Sequence, residues 1–144
     1  MTERWKRNNT CVYNLGYHLI WCTKYRRKVL TDGINEYLKE CLLQKSEENG
    51  WKIEQIEIMP EHVHIFIKAT PTDSIAYIIA QLKRYSSHKL RGRYPELWKR
   101  LPNLWTRSYY AESCGSLSEE NIKKYIEFQK RSFNSSHDLI RGLS

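Results

Sequence analysis

The chain has no long apolar run. No window approaches the roughly 18 uncharged apolar residues that a membrane-spanning helix needs, and the opening MTERWKRNNT is too polar for a secretory signal. Both absences lead to the expectation of a cytoplasmic protein with no membrane partner. Glycine and proline are few, six and four in 144 residues, and there is no Gly/Ser linker, internal repeat or low-complexity tract. Residues 1–144 are therefore expected to form one domain, long enough to enclose a hydrophobic core. The four cysteines, Cys11, Cys22, Cys41 and Cys114, include no C-x-x-C pair. That argues against a zinc ribbon, and the missing signal argues against disulfides. Acidic residues are also short, 16 against 24 Lys and Arg, which gives a formal charge of +8. With ten tyrosines and five tryptophans, this excess favours a polyanionic partner, nucleic acid first.

Periodicity supplies the elements. GYHLIWC, residues 16–22, alternates with apolar residues in both phases and predicts a central strand. A basic cluster follows at Lys24, Arg26, Arg27 and Lys28. Ile34, Tyr37, Leu38, Cys41 and Leu42 mark one face of a helix over 34–49, stopped by Gly50. WKIEQIEIM, residues 51–59, predicts a strand whose alternation slips near Gln55, as at a bulge. Pro60-Glu61 turns it into a second strand, MPEHVHIFIKA. A helix then opens near Pro71, with Thr72 or Asp73 as its cap. Its stripe is Ile75, Ile78, Ile79 and Leu82, and its far end carries Lys83, Arg84, Lys89, Arg91 and Arg93. Residues 104–113 predict an aromatic-rich strand, and residues 119–133 a last helix capped by Ser116 or Ser118. The order β-α-β-β-α-β-α implies an α+β, ferredoxin-like split βαβ plan plus one C-terminal helix. Two helices would cover one face of the antiparallel sheet and leave the other free.

The histidine strand raises the chemical question. Side chains in a strand alternate faces, so His62 and His64 share one side while Val63, Ile65 and Ile67 take the other. Two half-exposed histidines on a solvent face are the plain alternative. The sharper reading is a metal site, because two neighbouring imidazoles can reach one ion. A third ligand must then come from elsewhere. In the last helix Tyr125 and Gln129 lie four apart and share a helix face, and a glutamine oxygen is a hard ligand suited to Mg²⁺ or Mn²⁺.

His62-Val63-His64 resembles the HUH motif, and Tyr125-Ile126-Glu127-Phe128-Gln129 resembles the Tyr-x-x-x-Gln helix of the single-tyrosine HUH transposases. These are the small TnpA-type enzymes of bacterial and archaeal insertion sequences, related to the REP-associated tyrosine transposases. The likeness extends to residues 18–30, 81–87 and 105–115, and so covers most of the chain. It implies a metal-dependent enzyme that cuts and rejoins single-stranded DNA. Tyr125 would be the nucleophile forming a 5′-phosphotyrosine, and His62, His64 and Gln129 would hold one divalent metal, Mg²⁺ or Mn²⁺. It also implies DNA hairpins at the element ends, a homodimer hinged near Gly115, and no nucleotide cofactor. Backbone contacts would fall to Lys24, Arg26, Arg27, Lys28, Lys83, Arg84, Arg91, Arg93 and Lys124. Trp105, Tyr109 and Tyr110 either stack on unpaired bases or pack in the core. Other readings are a rolling-circle nickase, disfavoured by glutamine rather than lysine at position 129, and a non-catalytic nucleic-acid-binding module. A domesticated relative acting on chromosomal palindromes is not separable by sequence.

Overall fold

The computed structural model describes residues 6–7, 12–13 and 15–113. The expected helix over 119–133, with Tyr125, Gln129 and Lys124, lies outside the described residues, as do Cys11, Cys114 and Gly115. A short hairpin, β1 (Lys6–Arg7) and β2 (Val12–Tyr13), was not signalled by any alternation in the sequence. There follow β3 (Leu15–Cys22), α1 (Ile34–Glu48), β4 (Lys52–Ile58), β5 (His62–Ala69), α2 (Ile75–Arg93), α3 (Pro95–Arg100) and β6 (Tyr110–Ser113).

Four of these strands form one sheet in the order β4-β5-β3-β6, every neighbour antiparallel. β5 is inserted between β3 and β4, which flank α1 in the chain, and β3 between β5 and β6, which flank α2. This is the split βαβ plan expected from the element order, and β3 is central as expected. The register slips between Ile53 and Gln55, so the predicted bulge is present. It keeps Ile53, Ile56 and Ile58 all packed against the core.

Alternation sorts the two faces of the sheet. Leu19, Trp21, Val63, Ile65 and Ile67 point to the helices and meet Leu38 and Leu42 of α1 and Ile78, Ile79 and Leu82 of α2. All of these are almost wholly buried. Burying a side chain of this size is worth about 1.5–3 kcal/mol, so this stripe-on-face contact supplies most of the driving force for the fold. Cys41 is buried in α1 as its stripe position requires, and Cys22 and Cys41 are both free thiols. Gly50 stands just beyond α1 with φ +77°, a left-handed geometry that a side chain disfavours.

Three expectations need correction. The N-cap of α2 is Ser74, whose hydroxyl accepts from Tyr77 N at 3.1 Å. Asp73 instead accepts from Trp51 Nε1 at 2.7 Å and Thr70 Oγ1 at 2.9 Å, so a tertiary contact has taken the better capping side chain. Residues 104–109 are not strand. Trp105 makes a single bridge to Thr23, and the strand begins only at Tyr110. There the chain follows packing: Trp105 sits edge-on to Trp21 and donates Nε1 to Ser86 Oγ at 3.1 Å. Finally, the second face of the sheet is not open. His18, Ile20, Cys22, His62 and Phe66 on that face are all buried, with the His18 and Phe66 rings stacked at 4.7 Å.

Candidate metal centre

The β3–β5 register sets Cys22 opposite His62, Ile20 opposite His64 and His18 opposite Phe66. His62 and His64 therefore share a face, with ring centroids 4.6 Å apart. Each ring already has a partner at Nδ1. Glu61 Oε1 lies 2.8 Å from His62 Nδ1, and His18 Nε2 lies 3.4 Å from His64 Nδ1. Among the described residues this leaves Nε2 of both rings without a partner.

The surroundings favour neutral imidazole. Burial holds His62 and His18 below the usual value, against the opposing pull of Glu61 and Glu112. His64 is pushed down to about 3, mainly by burial and then by the two neighbouring histidines. A neutral ring with one nitrogen fixed by a carboxylate is what a metal-binding histidine needs. The residues present thus fit a divalent ion. Among the described residues no group of three or more His, Cys, Asp or Glu side chains is placed to hold a metal by itself. The pair needs a further ligand of another kind or from elsewhere in the chain.

A second layer supports the pair. His18 Nδ1 lies 3.4 Å from Glu112 Oε1, and Tyr110 Oη donates to Glu112 Oε2 at 2.8 Å. The sequence gives no site role to His18, Glu61 or Glu112, and Tyr110, a candidate for stacking on bases or for the core, instead holds Glu112. His18 shares strand parity with Cys22, and Glu61 directly precedes His62. Both facts are legible, but their meaning depends on which strands pair.

The basic turn after β3 folds back to this end of the sheet. Thr23 N donates to Glu61 O at 2.9 Å and Lys24 N to Leu104 O at 2.7 Å. Tyr25 and Arg26 both adopt positive φ, 58° and 53°, an uncommon strain for non-glycine residues. It brings the Arg26 charge close enough to oppose protonation of His62, and Arg26 Nε is buried without a hydrogen-bond partner among the described residues. Arg27 and Lys28 are exposed, and Lys24 is half-buried.

The basic residues of α2 divide by role. Lys83 Nζ donates to the carbonyls of Thr106 at 2.8 Å and Ser108 at 3.0 Å, and burial lowers its pKa to about 8. Its charge is engaged with the 106–108 backbone. Arg84, Arg91 and Arg93 are exposed, with Arg91 over the Trp98 ring and Arg93 over the Tyr37 ring. Of the three aromatic candidates, Trp105 is core, Tyr110 holds Glu112, and Tyr109 is exposed at 38%.

Residues 11–129 match the family described as "Transposase IS200 like". The chain belongs to the IS200-like transposases. Among its curated relatives is the ISDra2 transposase TnpA of Deinococcus radiodurans, 38% identical over 126 residues, which span 86% of this chain and 90% of that protein. The transposase for insertion sequence element IS200 of Salmonella typhimurium is 26% identical over 119 residues, 81% of this chain and 78% of that protein. In three dimensions this IS200-like transposase resembles a crystal structure of a candidate transposase from Deinococcus radiodurans R1. The TM-score is 0.72 at 34% identity, covering 86% of this chain and 97% of that one. The fold is also that of a REP-associated tyrosine transposase solved bound to a REP hairpin. There the TM-score is 0.55 at 13% identity, with 83% and 67% coverage. No helix among the described residues is long and apolar enough to cross a membrane.

Proposed function

We propose that this IS200-like transposase cleaves and rejoins single-stranded DNA at insertion-sequence ends through a covalent tyrosine–DNA intermediate. The observation that carries the reading is the histidine pair. Burial lowers the pKa of both rings, both are engaged at Nδ1, and among the described residues neither Nε2 is engaged. Gln129 is the proposed third ligand. When bound, Mg²⁺ or Mn²⁺ would polarise the scissile phosphate and offset charge on the departing oxygen.

The chain's own groups do the rest. Arg26, in the basic turn whose charge reaches His62, would bind a phosphate oxygen by a charge-assisted hydrogen bond. Glu61 and His18 orient the two imidazoles. The Tyr125 hydroxyl, a weak nucleophile at its usual pKa near 10, attacks phosphorus. The Tyr125 O–P bond forms as the P–O3′ bond breaks, the phenolic proton is lost, and the 3′ oxygen gains one. The 5′ end stays on Tyr125. A phenolate leaves more readily than an alkoxide, so a second 3′-OH can attack the same phosphorus, expel Tyr125 and reseal the strand without a nucleotide cofactor.

Lys24, Arg27, Lys28, Arg84 and Lys124 would neutralise the DNA backbone. Hairpins at the element ends are the proposed recognition feature, in keeping with the hairpin bound by the REP-associated relative. A homodimer acting in the cytoplasm, each subunit one domain over residues 1–144, completes the proposal.

The test is a denaturant-resistant adduct. Wild-type protein with Mn²⁺ should form one with single-stranded DNA taken from the flanks of its own gene, and Tyr125→Phe should form none. An adduct surviving in that variant would show the nucleophile to be another residue. Activity unchanged by chelation or by His64→Ala would overturn the metal assignment.

A further inference from the structure

A groove of about 350 Å³ runs between α2 and the segment 103–109, lined on opposite sides by Ala76 to Arg91 and by Asn103 to Tyr109. Its floor includes Ile79 and Leu104, both buried. Its rim carries Arg91, Arg107 and Tyr109, all exposed. The Arg91 guanidinium lies 3.4 Å from the Trp98 ring centroid, so a flat cation–aromatic pair forms one wall.

The groove is joined to the candidate metal centre through backbone. Thr106 N donates to Cys22 O at 3.1 Å, and Cys22 stands opposite His62 in the sheet. Lys83 holds the same segment from the α2 side through its bonds to the Thr106 and Ser108 carbonyls. A ligand in the groove would therefore lie at the His62 end of the sheet.

The lining specifies a chemistry. An apolar floor with aromatic edges suits a planar ring, and every base offers a face for such stacking. Two guanidiniums on the rim suit a phosphate. We propose that this groove seats one unpaired nucleotide of the DNA strand, its base against the apolar floor, Trp98 and Tyr109, and its phosphate held by Arg91 and Arg107. The inference rests on the strand-transferase reading above, and adds to it a place on the helix-covered side of the sheet where the strand is gripped. A free mononucleotide carries the same ring and phosphate. The link to His62 favours the strand, and the experiment separates the two.

Single-stranded oligonucleotides from the DNA flanking the gene, with 5-iododeoxyuridine at successive positions, would be irradiated with the full-length protein, and the crosslinked peptides mapped by mass spectrometry. One oligonucleotide position should crosslink to Trp98 or Tyr109. Arg107→Glu, at an exposed position, should lower that yield and weaken strand binding at least tenfold. The double variant Arg91→Ala/Arg107→Ala should also flatten the log–log salt dependence by about 0.7, the value for one phosphate of a single strand. Tyr125→Phe should leave the crosslink intact, so a groove crosslink without any wild-type covalent adduct sinks the strand-transferase reading and keeps the groove. Crosslinks mapping only elsewhere, or an unchanged Kd in Arg107→Glu, overturn the groove. So does displacement of the strand by micromolar mononucleotide with no loss of covalent adduct.

Discussion

His18 Nε2 lies 3.4 Å from His64 Nδ1, although the two residues are 46 apart in sequence. The contact exists because β3 and β5 are neighbours in a register that puts Ile20 opposite His64. His18 is 1% exposed and has Glu112 beside its other nitrogen. A carboxylate, a buried imidazole and a candidate metal ligand thus stand in series across three strands, an arrangement that fixes the tautomer and angle of the last ring.

If His18 orients His64, its loss should weaken metal binding before it alters the fold. Mn²⁺ affinity, followed by electron paramagnetic resonance, is expected to fall about 10- to 100-fold in His18→Gln, with circular dichroism unchanged. An affinity equal to that of wild type would mean that His64 needs no such support.

The buried histidines make stability depend on acidity with a definite sign. His18, His62 and His64 are held below 6.5 in the folded state, His64 at about 3, with burial the leading cause in each. Below pH 6.5 the unfolded chain binds protons that the folded chain refuses. Stability is therefore fully present above that pH and is lost as pH falls toward the folded values. For His64 the slope is on the order of 1 kcal/mol per pH unit. Urea midpoints at pH 7.5 and 5.0 should show the drop, and His64→Gln should shrink it. A higher midpoint at pH 5.0 would contradict the sign.

Lys83 is expected to matter for structure. Lys83→Met keeps the apolar stem but removes the donor shared by the Thr106 and Ser108 carbonyls. A cost of about 1–3 kcal/mol follows from leaving such groups without a partner, and amide exchange should accelerate around 106–108. Unchanged exchange there, with a loss of DNA affinity alone, would instead make Lys83 a phosphate contact.

The correction at the start of α2 is testable in the same terms. Ser74→Ala should cost about 1 kcal/mol and Ser74→Asp should restore most of it, because the cap needs a side-chain oxygen facing Tyr77 N. Thr72→Ala, at an exposed position outside the helix, should stay within ~0.5 kcal/mol. Equal thermal shifts for the two alanine variants would restore Thr72 as a capping residue.

Much of this transposase is written in local patterns. Alternation assigned Val63, Ile65 and Ile67 to the core and His62 and His64 to the other face, because a strand has only two faces. The stripe from Ile34 to Leu42 and the left-handed position of Gly50 bound α1 for equally local reasons. Strand order followed from chain connectivity once the elements were known. What no local pattern could supply was the partner across the sheet. His18 meets His64, Thr106 meets Cys22, and Asp73 leaves the helix cap for Trp51. Each pairing depends on register or packing between segments distant in the chain, where the lowest free energy belongs to the whole core. The same competition turned Leu104 to Tyr109, strand-like in composition, into a packed segment with one bridge. The sequence by itself determined which side chains can do chemistry. The tertiary structure decided which of them are held together, because contacts between distant segments are chosen by burial and hydrogen bonding across the fold.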